Sequence, residues 1–212
     1  MKCAKNTLLL YAVTDRAWAN KQTLYQQVEC ALKGGATCVQ LREKELNEAD
    51  FLTEALAIKK LCQTYGIPFI VNDNIDIALA CGADGIHVGQ HDTAAANVRR
   101  RIGEKMLLGV SVQTVSQAVA AEKNGADYLG VGAVFGTTTK PEADIIPYSI
   151  LKAICQAVNI PVVAIGGIYK HNILQLQGSG IDGVALVSAI FAAEDIEQEC
   201  KELRALTAAM IS

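Results

Sequence analysis

The sequence predicts an α/β fold, a single-domain (β/α)8 TIM barrel over residues 1–212. Three observations carry the prediction. Short apolar runs alternate with longer helical patterns along the whole chain. The runs lack the polar alternation of a half-exposed sheet, which suits parallel strands buried on both faces. A weak internal repeat sets the phase: Gly35-Ala36-Thr37, Gly82-Ala83-Asp84, Gly125-Ala126-Asp127 and Gly180-Ile181-Asp182 stand just before the second, fourth, sixth and eighth runs.

Strand one is predicted at 8–13. Leu24, Val28, Ala31 and Leu32 then share one helical face, and Gly34-Gly35 stop that helix. Strand two is 38–41. Asn47 is an N-cap for the next helix, whose apolar stripe is Phe51, Leu52, Ala55, Leu56 and Cys62. Strands three to eight are predicted at 69–71, 85–88, 106–110, 128–131, 162–165 and 183–187. Ile67-Pro68-Phe69 and Ile160-Pro161-Val162 open strands three and seven, where proline at the first residue gives up no needed ladder bond. The last helix carries Ile196, Cys200, Leu203 and Leu206, with Glu197 one turn before Lys201. Eight strands in 212 residues leave about 26 residues for each strand, helix and pair of loops, near the lower limit for a closed barrel. An open doubly wound sheet is the competing arrangement. No Gly-x-Gly-x-x-Gly follows the first strand, however, and the repeat runs to the end of the chain.

Composition narrows the function. Apolar residues are 51% and charged residues 19%, the reverse of a disordered chain. Aromatics at 5% leave little material for stacking nucleic-acid bases. A net charge of −3 draws neither nucleic acid nor an anionic membrane, so any anion site has to be local. No apolar run reaches the roughly 18 residues of a membrane span, and the apolar part of residues 1–10 is too short for a secretion signal. Seven cysteines with no Cys-x-x-Cys pair, mostly in apolar segments, indicate a reduced cytoplasmic protein without a disulfide framework or zinc site.

In such a barrel the active site lies at the C-terminal strand ends. Gln40-Leu41-Arg42-Glu43-Lys44 ends strand two; Gln40, Arg42 and Lys44 alternate and face one way in extended chain. Arg42 and Lys44, with Lys140 after strand six, form a cationic set suited to a polyphosphate; a solvated charged loop is the plainer alternative for each lysine. Asp73, within Asn72-Asp73-Asn74, and Asp92 begin the turns after strands three and four. Two carboxylates beside substrate phosphates suit Mg2+, and both positions also suit helix N-caps. Gly166-Gly167 and Ser188 follow strands seven and eight, where this fold often holds a phosphate. A tight Gly-Gly turn and a Ser cap are the alternatives there. Thr137 and Thr139 could donate hydroxyls to the same group or simply belong to a loop. His87 reads as a packed, satisfied histidine, and Trp18 as a packing residue near the mouth. No His pair with metal spacing and no Gly-x-Ser-x-Gly or Cys–His signature occurs. The residues thus describe two anionic subsites at one mouth, a metal-assisted diphosphate and a monophosphate, which suits transfer of an organic group from a diphosphate to a phosphorylated acceptor.

The same segments resemble the thiamine-phosphate synthase (thiamine-phosphate pyrophosphorylase) family. They run from Leu10-Tyr11-Ala12-Val13-Thr14-Asp15 through Gln40-Leu41-Arg42-Glu43-Lys44, Val71-Asn72-Asp73, Ile86-His87-Val88-Gly89-Gln90 with Asp92, and Gly109-Val110-Ser111. Val134 to Lys140, Ile165-Gly166-Gly167-Ile168 and Val187-Ser188-Ala189-Ile190 complete the series. The resemblance implies a Mg2+-dependent transferase that joins 4-amino-2-methyl-5-pyrimidinylmethyl diphosphate to 4-methyl-5-(2-phosphoethyl)thiazole. Carried over by motif, Gln40 would contact the pyrimidine, and Arg42, Lys44, Asn72, Ser111 and Lys140 would hold it and its diphosphate. Arg42, Lys44, Ser111 and Lys140 would be the catalytic set. Asp73 and Asp92 would bind Mg2+, and Thr137, Thr139, Gly167, Val187 and Ser188 would hold the thiazole phosphate. The implied partners are these two small molecules, with neither nucleic acid nor membrane, and a homo-oligomer is left open. Ala133 and Gly136 stand where the family pattern often has prolines. Related thiazole tautomerases would carry a histidine near Ala133. A catalytically silent barrel that binds thiamine phosphates is the reading from another class.

Overall fold

Eight parallel strands close on themselves in the computed structural model of the chain, which describes residues 3–19, 22–89, 95–137 and 144–212. They are β1 (Leu10–Val13), β2 (Cys38–Leu41), β3 (Phe69–Asn72), β4 (Gly85–Val88), β5 (Leu107–Val112), β6 (Tyr128–Gly132), β7 (Val162–Ile165) and β8 (Gly183–Leu186). Each pairs with the next, and β8 returns to β1 with Tyr11 opposite Ala185. The outer ring holds α1 (Leu24–Lys33), α2 (Glu48–Thr64), α3 (Ile75–Ala80), α4 (Ala95–Ile102), α5 (Val115–Lys123), α6 (Tyr148–Ala157), α7 (Ser188–Phe191) and α8 (Ile196–Ile211). The (β/α)8 prediction therefore holds.

Local chemistry starts and stops the helices as expected. Asn47 caps α2 by accepting from the Asp50 amide at 3.0 Å. Gly34 closes α1, and Gly35 follows at a φ of 95°, a conformation that suits glycine. Glu197 and Lys201 pair at 2.6 Å on α8.

Some boundaries differ from the prediction. Residues Lys5–Leu8 form a 3-10 turn, so β1 starts at Leu10. The chain crosses under β8 here: Lys5 pairs with Asp182 at 2.6 Å, and a Cβ on Gly183 would lie 1.9 Å from the Leu8 carbonyl. β5 starts at Leu107, which pairs with Gly85, while the Met106 carbonyl before it accepts from Arg99 at 2.8 Å. β8 stops at Leu186, since Val187 turns to a ψ of −88° to enter α7. The unit after β7 has only the 3-10 turn Ile173–Leu176 in place of an α-helix. Asn172 ties that segment down by accepting from the Tyr169 amide and donating to the Gly167 carbonyl.

Strand parity separates two cores. Leu10, Ala12, Val39, Leu41, Phe69, Val71, Ile86 and Val88 pack outward against the helices. Tyr11, Val13, Cys38, Ile70, Leu107, Tyr128, Val163 and Ala185 pack inside the barrel. Both faces are buried, which is why the runs show no apolar–polar alternation. Toward the C-terminal strand ends the inward positions become Gln40, Asn72, His87 and Ser111.

The sequence repeat has a structural cause at the opposite end. In each case the last residue of the Gly-x-Asp or Gly-x-Thr triplet bonds twice to one residue of the preceding strand. The Thr37 amide donates to the Leu10 carbonyl at 2.8 Å, and its hydroxyl accepts from the Leu10 amide at 2.9 Å. Asp84 clamps Phe69, Asp127 clamps Leu108 and Asp182 clamps Val162 in the same way, each carboxylate accepting at 2.8–3.0 Å. Four such clamps join β1 to β2, β3 to β4, β5 to β6 and β7 to β8. Between them, the Pro68 and Pro161 carbonyls accept from Val39 and Leu129.

Candidate active site

The C-terminal strand ends surround one cavity of about 410 Å3, within the usual range for a small-molecule site. Gln40, Arg42 and Lys44 from β2 and its loop all line it, as their alternation predicted. So do Asn72, Asp73, Ser111, Thr137, Gly167, Val187 and Ser188. Three expected site residues, Asp92, Thr139 and Lys140, lie outside the described residues.

Each wall has its own support. Gln40 is 4% exposed and donates from Nε2 to Tyr11 Oη at 2.8 Å. The Arg42 amide donates to the Thr14 hydroxyl at 3.0 Å, and its guanidinium pairs with Asp15 at 2.7 Å. Asp15 thus offsets part of the cationic charge that the alternation placed at the cavity. Glu43 faces away from the cavity. One of its oxygens accepts from the Lys44 and Glu45 amides at 2.9 and 3.0 Å, and the other from Arg16. Burial works to raise this carboxyl, but Arg16 and the two amides outweigh it and hold it below the ordinary value of 4.5. The loop bearing both cations is therefore fixed from behind.

Two alternatives left open by the sequence are now decided. Asp73 is not the cap of α3; that role falls to Asn74, which accepts from the Ile77 amide at 3.0 Å. Asp73 has a φ of 61°, lines the cavity and accepts from Asn72 Nδ2 at 2.5 Å. Ser188 is not a cap either: it is the first residue of α7, and its hydroxyl meets Tyr169 Oη at 2.8 Å. Gly166 and Gly167 do form the tight turn, with φ of 98° and 62°. A Cβ on Gly167 would lie 2.3 Å from the Gly136 carbonyl, so the loops after β6 and β7 pack backbone on backbone. Trp18 packs against the outer core.

The donor set suits a hard divalent cation. Asp73 offers carboxylate oxygen at the cavity wall, and no cluster of three or more His, Cys, Asp or Glu forms a metal cage among the described residues. Mg2+ typically takes one or two carboxylates and completes its shell with water and substrate phosphate. Ala133 lines the cavity and carries no proton-transfer group, which disfavours a tautomerase.

Sequence reasoning missed what lies beneath the site. His87 is satisfied, as expected, but it also lines the cavity, with Nδ1 3.1 Å from Tyr128 Oη and Nε2 2.9 Å from Ser111 Oγ. Tyr11 and Tyr128 meet at 2.8 Å between their hydroxyls. Inward strand parity is the one signal that could have found the three together.

Comparison with known proteins agrees with this geometry. The family model described as thiamine monophosphate synthase matches residues 10–190. Thiamine-phosphate synthase of Clostridium beijerinckii is 50% identical over 195 residues, covering 92% of this chain and 93% of that protein. The Chloroflexus aurantiacus enzyme of that name is 48% identical over 198 residues, covering 93% and 91%. The solved structure of thiamine phosphate pyrophosphorylase from Pyrococcus furiosus superposes with a TM-score of 0.90 at 37% identity, over 98% of this chain and 99% of that one. With its motifs brought to one barrel mouth and relatives matched end to end, the chain belongs to the thiamine monophosphate synthase family of transferases.

Proposed function

We propose that the chain, acting as one barrel domain over residues 1–212, joins 4-amino-2-methyl-5-pyrimidinylmethyl diphosphate to 4-methyl-5-(2-phosphoethyl)thiazole, giving thiamine phosphate and diphosphate. One observation carries the reading: Arg42, Lys44, Asn72, Asp73, Ser111, Gly167 and Ser188, from distant parts of the chain, line a single cavity. The C–O bond between the methylene and the diphosphate breaks first, and its electron pair leaves with the diphosphate. The aminopyrimidine spreads the resulting positive charge over its ring. The thiazole nitrogen then attacks the methylene, so no protein nucleophile is needed.

The side chains bind, orient and neutralise. Gln40 faces the pyrimidine, while Arg42, Lys44, Asn72, Ser111 and Lys140 hold the diphosphate and meet the charge that builds on it. Thr137, Thr139, Gly167, Val187 and Ser188 hold the thiazole phosphate. Barrels of this kind frequently build a phosphate site from the loops after strands seven and eight and a short extra helix, the position of α7. Asp73 and Asp92 would hold Mg2+, which when bound neutralises the departing oxygens. Every cysteine is free, in keeping with a cytoplasmic setting, and the reading accommodates a homo-oligomer.

Diphosphate release, measured with both substrates and titrated with Mg2+, tests the proposal. Release should require both substrates and the metal. In Asp73→Asn, half-maximal release should need about tenfold more Mg2+. A wild-type protein that binds thiamine phosphate but releases no diphosphate would be a silent binder and would end the reading.

A further inference from the structure

At the cavity floor, five side chains from five strands touch in a single file, and all but Tyr128 line the cavity. Gln40 on β2 bonds to Tyr11 on β1, Tyr11 to Tyr128 on β6, Tyr128 to His87 on β4, and His87 to Ser111 on β5, at 2.8, 2.8, 3.1 and 2.9 Å. Its central members are deeply buried: Tyr11 is 1%, Tyr128 0% and His87 8% exposed. Both ends, Gln40 and Ser111, reach the cavity wall.

The barrel makes room for this file at a specific place. A Cβ on Gly109 would lie 2.2 Å from Tyr128 Cζ and 2.4 Å from His87 Nδ1, and one on Gly130 would lie 3.1 Å from His87 Cε1. Neither glycine has the positive φ that would demand glycine for backbone reasons. They leave the space in which the Tyr128–His87 bond forms.

The hydrogen-bond chemistry gives the file a direction. Gln40 Nε2 can only donate, so Tyr11 Oη accepts from it. Each phenol has one proton. Only if Tyr11 donates to Tyr128, and Tyr128 to His87 Nδ1, does each phenol give its proton to a neighbour within the file. Burial holds both phenols well above the ordinary value of 10.0, so they remain O–H donors. A neutral His87 that accepts at Nδ1 carries its proton on Nε2 and donates it to Ser111 Oγ. Ser111 then directs its own proton away from His87. At the other end, the amide nitrogen of Gln40 is committed to Tyr11, which fixes the orientation of its carbonyl oxygen.

We propose that Tyr11, Tyr128 and His87 are positioning residues that set the polarity of the site, making Gln40 an acceptor at one wall and Ser111 a donor at the other. This rests on the reaction proposed above. The Gln40 carbonyl meets an exocyclic amino group on the ring, and the Ser111 hydroxyl meets an oxyanion of the leaving diphosphate. The file thereby favours an aminopyrimidine over a ring carrying an oxo group at the same position, because the oxo oxygen would face the Gln40 oxygen.

The test is the His87 tautomer, read by 15N NMR of the unliganded full chain; the chain has three histidines, and His87→Asn identifies the signal. Wild type should carry the proton on Nε2. In Tyr128→Phe the tautomers should mix, and the turnover number for diphosphate release should fall about tenfold while KM for the thiazole phosphate moves less than twofold. Tyr11→Phe should shift both readouts in the same sense. A wild-type proton on Nδ1 overturns the inference without any variant. So does a Tyr128→Phe protein that loses turnover with its tautomer unaltered, since that loss would be packing alone. Wild-type protein that releases no diphosphate would instead end the proposed reaction, and the tautomer readout stands apart from it.

Discussion

Glu43 sits between two cavity cations in the chain yet points the other way, with only 2% of its side chain exposed. Arg16 and the amides of Lys44 and Glu45 hold it ionised below 4.5. A carboxyl depressed in the folded state stabilises fully above its unfolded value, and the contribution is lost as pH falls through the folded one. Glu43→Gln should therefore be less stable than wild type at pH 7, by roughly 1–3 kcal/mol, and melt at a lower temperature. Thermal melts taken down to about pH 3 should show the two proteins converging. Equal melting temperatures at pH 7 would refute the clamp. The cations themselves were legible from alternation in a strand followed by polar loop. The carboxylate behind them was not, because its partner Arg16 is distant in sequence and reads as a surface residue. Tyr11, Tyr128 and His87 were hidden for the same reason: inside apolar runs, only the closed register reveals that they share one interior.

At the scale of elements, strand order and most helix ends could be read because they depend on local signals: apolar runs, caps and glycine stops. The shifted start of β1 depends on a distant contact, at Gly183, and that of β5 on its pairing with Gly85. The Gly-x-Asp repeat was visible as a pattern, but its chemistry needed the pairing of neighbouring strands. In Asp127→Ala the Leu108 amide loses its side-chain acceptor and Arg99 loses its carboxylate. This should cost about 1–3 kcal/mol and lower the melting temperature by roughly 2–12 °C. Diphosphate release at 25 °C should stay within twofold of wild type, because the clamp lies at the end of the barrel away from the cavity. A variant that melts normally would show the clamp to be incidental.

Across the whole molecule, the seven thiols report on the integrity of the barrel. All are free, and burial raises every one, to about 12 for Cys3, Cys62, Cys155 and Cys200. Because the thiolate is the reactive form, a disulfide reagent at pH 8 should modify Cys3, Cys62, Cys155 and Cys200 of the native protein far more slowly than in the urea-unfolded chain, by about a hundredfold or more. Comparable rates in the two states would contradict the packing described. Ring closure has another consequence. β1 is made first and finds its second neighbour only in β8, at Gly183–Leu186. At ribosomal speeds of ~5–20 residues per second, the nascent polypeptide carries an unpaired strand edge for roughly 10–35 s. During synthesis, then, the molecule is an incomplete cylinder open to other chains.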